Sequence, residues 1–235
     1  MLSRRSGQPW IRSRATQQGA SLVELLVGVA VGLFIVAGAT LIVSTQLSEN
    51  KRLLAETQLQ QDLRAAADIM TRELRRSGYW LDAHLGMALV SREARANPLS
   101  GISATAGANA QATYRYRRAV NQEGPYGFRL SNGALQMQVD GGTWQDLTDS
   151  RVMQVTAFGV QGFAEPSEVL PCPKACPDGT TDCWPRHQTR GFVLSIDAQS
   201  RTDAEVTRSL VTTVRLRNDL VEFRAGGMPA QACPT

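Results

Sequence analysis

The sequence predicts an α+β protein: a long N-terminal helix, apolar in its first half and amphipathic in its second, packed on an antiparallel β-sheet. Three observations carry this. An uncharged apolar run extends from Leu25 to Val43, close to the ~20 residues a helix needs to cross a bilayer. No proline stands between Pro9 and Pro98, and Leu47, Leu54, Leu59, Leu63, Ala66, Met70 and Leu74 recur mostly at helical spacings. From Thr113 the apolar period changes to two.

Residues 1–19 read as a basic leader with Arg4, Arg5, Arg12 and Arg14 and no acid. The formal charge of the chain is +4, and without those four arginines 21 Lys+Arg balance 21 Asp+Glu. The basicity is therefore a topology signal that keeps the N-terminus in the cytoplasm. It does not indicate a nucleic-acid partner, and none is expected. The leader departs from an ordinary secretory signal: the apolar region is too long and no A-x-A-like site follows it. The small residue suited to cleavage, Gly19, stands before the apolar run, so cutting there removes the leader and keeps the helix.

Residues 20–43 form the expected transmembrane segment. Gly28 and Gly32 stand in a G-x-x-x-G spacing, which lets helices approach closely in lipid; glycine is also simply common in membrane helices. Residues 44–78 continue as an amphipathic helix, rich in good helix formers, with Gly78 as terminator. From Ser21 to Arg76 this is about 56 residues, or roughly 84 Å at 1.5 Å per residue. Residues 79–112 read as a connector in which Tyr79, Trp80 and Leu81 pack and 100–112 is loop.

Residues 113–235 read as a sheet domain. Phe128 and Leu130 lead into Asn132-Gly133 and then Leu135, Met137 and Val139, a strong hairpin signal. Asp140-Gly141-Gly142 marks a further turn. Strands follow at 152–160, 192–196 and 205–216, giving a meander of about six strands with one buried face. An insert at 165–190 holds Cys172, Cys176 and Cys183; Cys233 lies near the C-terminus. With His187 the insert reads C-x3-C-x6-C-x3-H, which admits a zinc site. An oxidising compartment favours disulfides instead, one within the insert and one tying Cys233 back to it. Neither histidine, His84 or His187, lies in a catalytic arrangement, and there is no phosphate loop or H-E-x-x-H. The Asp140, Asp146 and Asp149 spacing is not that of an EF-hand. Arg115, Arg117 and Arg118 with Tyr114 and Tyr116 admit nucleic-acid contact, but their alternation on one strand favours a solvated edge or outer face. No catalytic residue, metal or cofactor is expected.

Gly19, the short apolar stretch after it, Glu24 and the uninterrupted helix resemble the class III signal peptide of the type IV pilin superfamily. Within it, Glu73 to Trp80, Gly142 to Leu147 and Thr213 to Asn218 resemble PilW-type minor pilins. The resemblance implies a pilin-like fold and cleavage after Gly19 by a prepilin peptidase. It implies N-methylation of the new N-terminal Ala20, where the family more often has phenylalanine or methionine. It also implies that Glu24 pairs with the N-terminal amine of a neighbouring subunit. Major pilins commonly carry a proline within the membrane half, which is absent here. The implied partners are the peptidase, other minor pilins, the major pilin, the inner-membrane assembly platform and the membrane. The implied location is the bacterial inner membrane, single-pass with the C-terminal domain in the periplasm, and the pilus. The implied role is initiation of pilus assembly within a tip complex. The alternatives are a J-type minor pseudopilin of type II secretion, an adhesin or DNA-receptor pilin, and a single-pass protein with no filament role.

Overall fold

A computed structural model describes residues 19, 21–81, 83–86, 96–105, 107, 110–223 and 233–234. The leader residues 1–18 and Ala20 lie outside them. The chain divides into two compact units, Met1–Asn50 and Lys51–Thr235. Helix α1 (Leu22–Leu74) provides the described helix of the first and the opening element of the second.

In the first unit every residue from 21 to 50 is exposed, including Leu22, Val31, Phe34 and Ile42. An apolar surface of this kind in water is strongly unfavourable, at about 25 cal/mol per Å²; α1 is long and apolar enough to cross a membrane. Three of its hydroxyls are turned back on the helix. Thr40 and Thr45 donate to the carbonyls of Val36 and Leu41, and Ser44 also to Leu41, at 2.8–3.0 Å. No polar side-chain hydrogen is then left for lipid to meet at these positions.

In the second unit α1 buries Leu59, Leu63, Ala66, Ala67, Met70 and Leu74 in a core shared with the strands. Five strands form one antiparallel meander: β1 (Ile102–Thr105), β2 (Gln111–Tyr114), β3 (Tyr126–Ser131), β4 (Ala134–Gln138) and β5 (Trp144–Asp146). Strands β6 (Met153–Ala164), β9 (Arg190–Ser200) and β10 (Thr207–Arg215) form a second sheet in the order β10-β9-β6. Strands β7 (Glu168–Val169), β8 (Arg186–Gln188) and β11 (Leu220–Glu222) form a third in the order β11-β8-β7.

The β3–β4 hairpin has Asn132 at φ 51° and Gly133 at φ 75°, the two left-handed residues a type I′ turn requires. In the central strand β9, Phe192, Leu194, Ile196 and Ala198 alternate into the core. Strand β6 keeps step by a bulge between Val155 and Ala157. The extra residue reverses the parity, so Met153 and Val155 before it and Phe158 and Val160 after it all reach the same core.

The α+β expectation holds, with four corrections. The stretch 100–112 is not all loop: β1 and the first two residues of β2 lie in it, short Ser, Ala and Gln segments lacking the bulky alternation that marks a strand. The strands form three sheets rather than one six-stranded meander. Tyr79 and Leu81 are exposed, at 46% and 60%. Leu47 and Leu54 are likewise exposed, because the buried stripe of α1 begins at Leu59.

Candidate functional site

The first candidate region is the start of α1. Ser21 precedes the helix, and its carbonyl accepts the first helical bond, from Leu25 N–H at 3.0 Å. Glu24 therefore lies in the first turn, where a carboxylate complements unpaired N–H groups and the helix dipole. Ser21 and Glu24 also have the spacing of a capping box, a signal the residue pattern carries beside the cleavage motif. Gly19 is exposed and outside the helix. Gly28 and Gly32 lie one turn apart on one exposed face, and a Cβ at either would meet nothing within 4 Å. That face has room for a second helix. Cleavage and methylation at Ala20 concern a residue outside the described set.

The second region is the far end of α1. The helix closes through Arg76 N–H to Glu73 O and Ser77 N–H to Leu74 O, after which Gly78 turns at φ 78°. The Gly78 N–H donates to Arg115 O at 2.8 Å, and Arg117 N–H donates to Tyr79 O at 2.8 Å. On the other side Arg217 N–H donates to Arg75 O at 3.1 Å, and the Asn218 amide donates to Ser77 O at 3.0 Å. The helix end is thus bound to strand ends from both large sheets. Beneath it Tyr114, Tyr116, Tyr126 and Phe128 stack, with the Tyr116 and Tyr126 rings 4.3 Å apart. Tyr116 donates from its hydroxyl to Glu73 Oε2 at 2.7 Å, and Arg76 donates to Glu73 Oε1 at 3.1 Å. Burial, then the hydrogen bond to Glu73, pushes the Tyr116 phenol up to about 12. Burial pushes Tyr114 well upward too. The hydrogen-bonded Tyr116 and the carboxylate of Glu73 hold the Arg76 guanidinium above its ordinary value. The alternation of Tyr114 and Tyr116 with Arg115 and Arg117 separates the two faces of this segment, and the packing shows which partners cover the tyrosines.

The third region is the cysteine insert. Cys176 bonds Cys183 and Cys172 bonds Cys233, with Cα separations of 5.9 and 5.6 Å. No sulfur is left as a thiolate for the C-x3-C-x6-C-x3-H zinc set. His187 Nε2 instead lies 2.8 Å from Asp219 Oδ2, joining β8 to the segment before β11, and Arg215 reaches the same oxygen at 3.4 Å. The Trp184 indole donates to Lys174 O at 2.9 Å inside the stapled loop. Buried Arg190 donates to Ser100 O at 2.8 Å, and desolvation lowers its pKa.

These three regions supply an apolar helix with a terminal acid, a rigid helix-to-sheet joint and a cross-linked tail. Among the described residues no group of His, Cys, Asp and Glu side chains is placed to hold a metal ion. Searches of curated proteins and of solved structures give no match. The family model of prepilin peptidase-dependent protein B matches residues 52–216. That span begins beyond the membrane-length half of α1 and includes every strand from β1 to β10. Covering most of the sequence, it shows that the chain belongs to the prepilin peptidase-dependent protein B family, a family of type IV pilin-related proteins.

Proposed function

We propose that the chain is a PilW-type minor pilin that helps to initiate type IV pilus assembly within a tip complex of minor pilins. One observation carries this reading. The N-terminal motif from Gly19 to Val43 and the family match over 52–216 point the same way, yet they share no residue. Dependence on a prepilin peptidase is what the Gly19 motif requires and what the family's description states.

In this reading residues 1–19 are removed on the cytoplasmic side, Ala20 becomes the methylated N-terminus, and the exposed apolar half of α1 passes from lipid into a bundle of pilin helices. The neighbours are the major pilin and other minor pilins, mounted on the inner-membrane platform. Glu24 sets the register. An ionised carboxylate in hydrocarbon is costly, up to about 2.5–3.5 kcal/mol on insertion scales where it reaches the centre of a membrane helix. Pairing with the new amine of an adjacent subunit offsets that cost, whereas a misplaced helix leaves both charges unpaired. Gly28 and Gly32 supply the close-packing face.

The test is N-terminal mass spectrometry of the mature protein together with pilus counts in a deletion strain. Expected are a chain beginning at methylated Ala20 and a loss of pili restored by the wild-type gene. Glu24→Ala should be processed yet fail to restore pili, and Gly19→Ala should remain uncleaved. An uncleaved wild-type chain would overturn the pilin reading. Normal pili with a secretion defect would move it to the J-type pseudopilin.

A further inference from the structure

Beyond its leader the chain is formally neutral, yet folding gathers the two signs at different places. Positive charge collects where three segments finish. Helix α1 runs out through Arg72, Arg75 and Arg76, the stretch after β2 carries Arg118, and the stretch after β10 carries Arg217. Backbone bonds from Arg217 N–H to Arg75 O and from Arg117 N–H to Tyr79 O hold these ends side by side. An open groove results. A cavity of about 560 Å³ bordered by Arg72, Arg75, Arg76 and Arg217 adjoins one of about 410 Å³ bordered by Arg76, Arg118 and Arg217. The acids nearby leave it charged. Glu73 is engaged by Arg76 and Tyr116, and Asp219 by His187 and Arg215; Asp68, at the border, forms no ion pair with a described residue. Arg72, Arg75, Arg118 and Arg217 are exposed and have no carboxylate partner among the described residues.

Negative charge collects in the cysteine insert. Residues 165–182 carry Glu165, Glu168, Asp178 and Asp182 against Lys174 alone, a net charge of −3. All four acids are exposed, and none forms an ion pair with a described residue. Asp178 and Asp182 stand at the tip of the loop that Cys176–Cys183 closes. That loop is braced from within. The Thr180 N–H and hydroxyl donate to Asp178 Oδ1 at 3.0 and 2.7 Å, Asp182 N–H donates to Thr180 Oγ1 at 3.3 Å, and Cys176 N–H donates to Thr180 O at 2.9 Å. Two carboxylates are thus presented in a fixed arrangement, which lowers the ordering cost of binding through them.

A neutral chain with its two signs segregated on the surface is electrostatically complementary to itself. The C-terminal dipole of α1 accounts for cations in the last turn of the helix. It does not account for Arg118 and Arg217, which arrive from the strands. Guanidinium forks suit carboxylates, which they meet with two parallel N–H···O bonds. We infer that the groove takes the Asp178–Asp182 loop of a second copy of this chain. Groove and loop are different surfaces, so the contact is head-to-tail, and a pair joined by one such contact still offers a free groove and a free loop. The charges are exposed and screened by salt, so the contact is weak, reversible and sensitive to ionic strength. This goes beyond the tip-complex role, which asks for contacts with other pilins and none with a second copy.

The experiment uses the full chain in an excess of zwitterionic micelles of matched density, with Arg4, Arg5, Arg12 and Arg14 replaced by Gln in every protein so that the leader does not contribute. Sedimentation equilibrium reads the weight-average mass. The parent should self-associate with an affinity that falls at least about tenfold between about 50 and about 500 mM salt. Arg72→Glu/Arg75→Glu and Asp178→Lys/Asp182→Lys should each weaken association at low salt at least about tenfold, because like charges then face one another. An equimolar mixture of these two variants should associate as the parent does, since each offers the sign that the other lacks. Arg151→Glu/Arg201→Glu reverses equal charge elsewhere and should stay within about twofold of the parent. If either double variant loses its thermal unfolding transition, Arg217→Gln and Asp182→Asn take its place, each expected to weaken association by about twofold to fivefold. Association that ignores salt and survives both reversals comes from the apolar half of α1 and overturns the inference. So does a mixture of folded variants that stays apart, or an equal loss in the control. A monomeric parent overturns it as well, and arginine-dependent capture of poly-glutamate by that parent would assign the groove to an acidic partner of another kind.

Discussion

The Tyr116 hydroxyl donates a 2.7 Å hydrogen bond to Glu73 Oε2 across 43 residues of sequence. It joins the last turn of α1 to the strand segment beneath it, and it engages a carboxylate, so its contribution exceeds that of a neutral pair. Tyr116→Phe should destabilise the second unit by about 1.5 kcal/mol, the lower end of the range for bonds to charged groups. A double-mutant cycle with Glu73→Gln, followed by urea unfolding of the full chain in micelles, should return a coupling of at least about 0.5 kcal/mol. Additive single effects would show that the two side chains act independently.

Alkaline pH should loosen the same joint. Tyr116 is pushed up to about 12 by burial and by Glu73, and burial also raises Tyr114 and Tyr126. A phenol in the unfolded chain ionises near 10. The neutral phenols therefore stabilise the fold fully below pH 10, and that contribution is lost as pH rises from about 10 toward 12. The unfolding midpoint should be flat with respect to these groups below pH 10 and fall above it. In Tyr116→Phe the fall should be shallower.

The two disulfides should differ in weight. Cys172–Cys233 closes a sequence separation of 61 and Cys176–Cys183 one of 7. On the chain-entropy model these separations correspond to about 4 and about 2 kcal/mol, as upper values. Cys172→Ser/Cys233→Ser should lower the unfolding midpoint more than Cys176→Ser/Cys183→Ser. It should also speed proteolysis near the C-terminus, read by intact mass spectrometry.

Gly191 stands in β9 between Phe163 of β6 and Arg215 of β10. A Cβ there would fall on the backbone carbonyl oxygen of Val214 and on the Phe163 ring. A backbone oxygen in a paired strand has no rotamer to yield. Gly191→Ala should therefore cost about 2–3 kcal/mol, in the upper part of the overpacking range. Thermal unfolding followed by near-ultraviolet circular dichroism would measure it; a melt like that of the wild type would mean that β9 and β10 shift apart freely.

Features governed by local chemistry were legible in the sequence. The turn at Asn132-Gly133 follows from two residues that tolerate positive φ, and the stop at Gly78 from one. Leu59 to Leu74 repeat at helical spacing and lie buried together. Features set by distant partners were not. Tyr114 and Tyr116 alternate with Arg115 and Arg117, which places the two sets on opposite faces, but the neighbours that close over the tyrosines, Tyr126, Phe128 and the α1 stripe, are supplied by the fold. Strands β1 and β2 are short and rich in small polar residues, so they exist through pairing with β3 rather than through their own pattern. The bulge in β6 breaks the parity rule, which would have placed Phe158 on the face opposite Val155. The cationic groove has the least local signature, because its arginines come from three segments and adjoin only where α1 ends.

The Cys172–Cys233 bond also bears on mechanical load. Tension applied along α1 is borne in the second unit by the core packing of Leu59 to Leu74 and by the backbone bonds of residues 75–79 to 115, 117 and 217. The segment between the two cysteines holds β8 to β11 inside a covalent ring. If the unit yields under pull, that ring cannot be drawn out, which withholds roughly 200 Å of contour at about 3.4 Å per residue. The oxidised protein is thus a short tether and the reduced one a long tether, so the bond limits how far the second unit can extend when the helix is pulled.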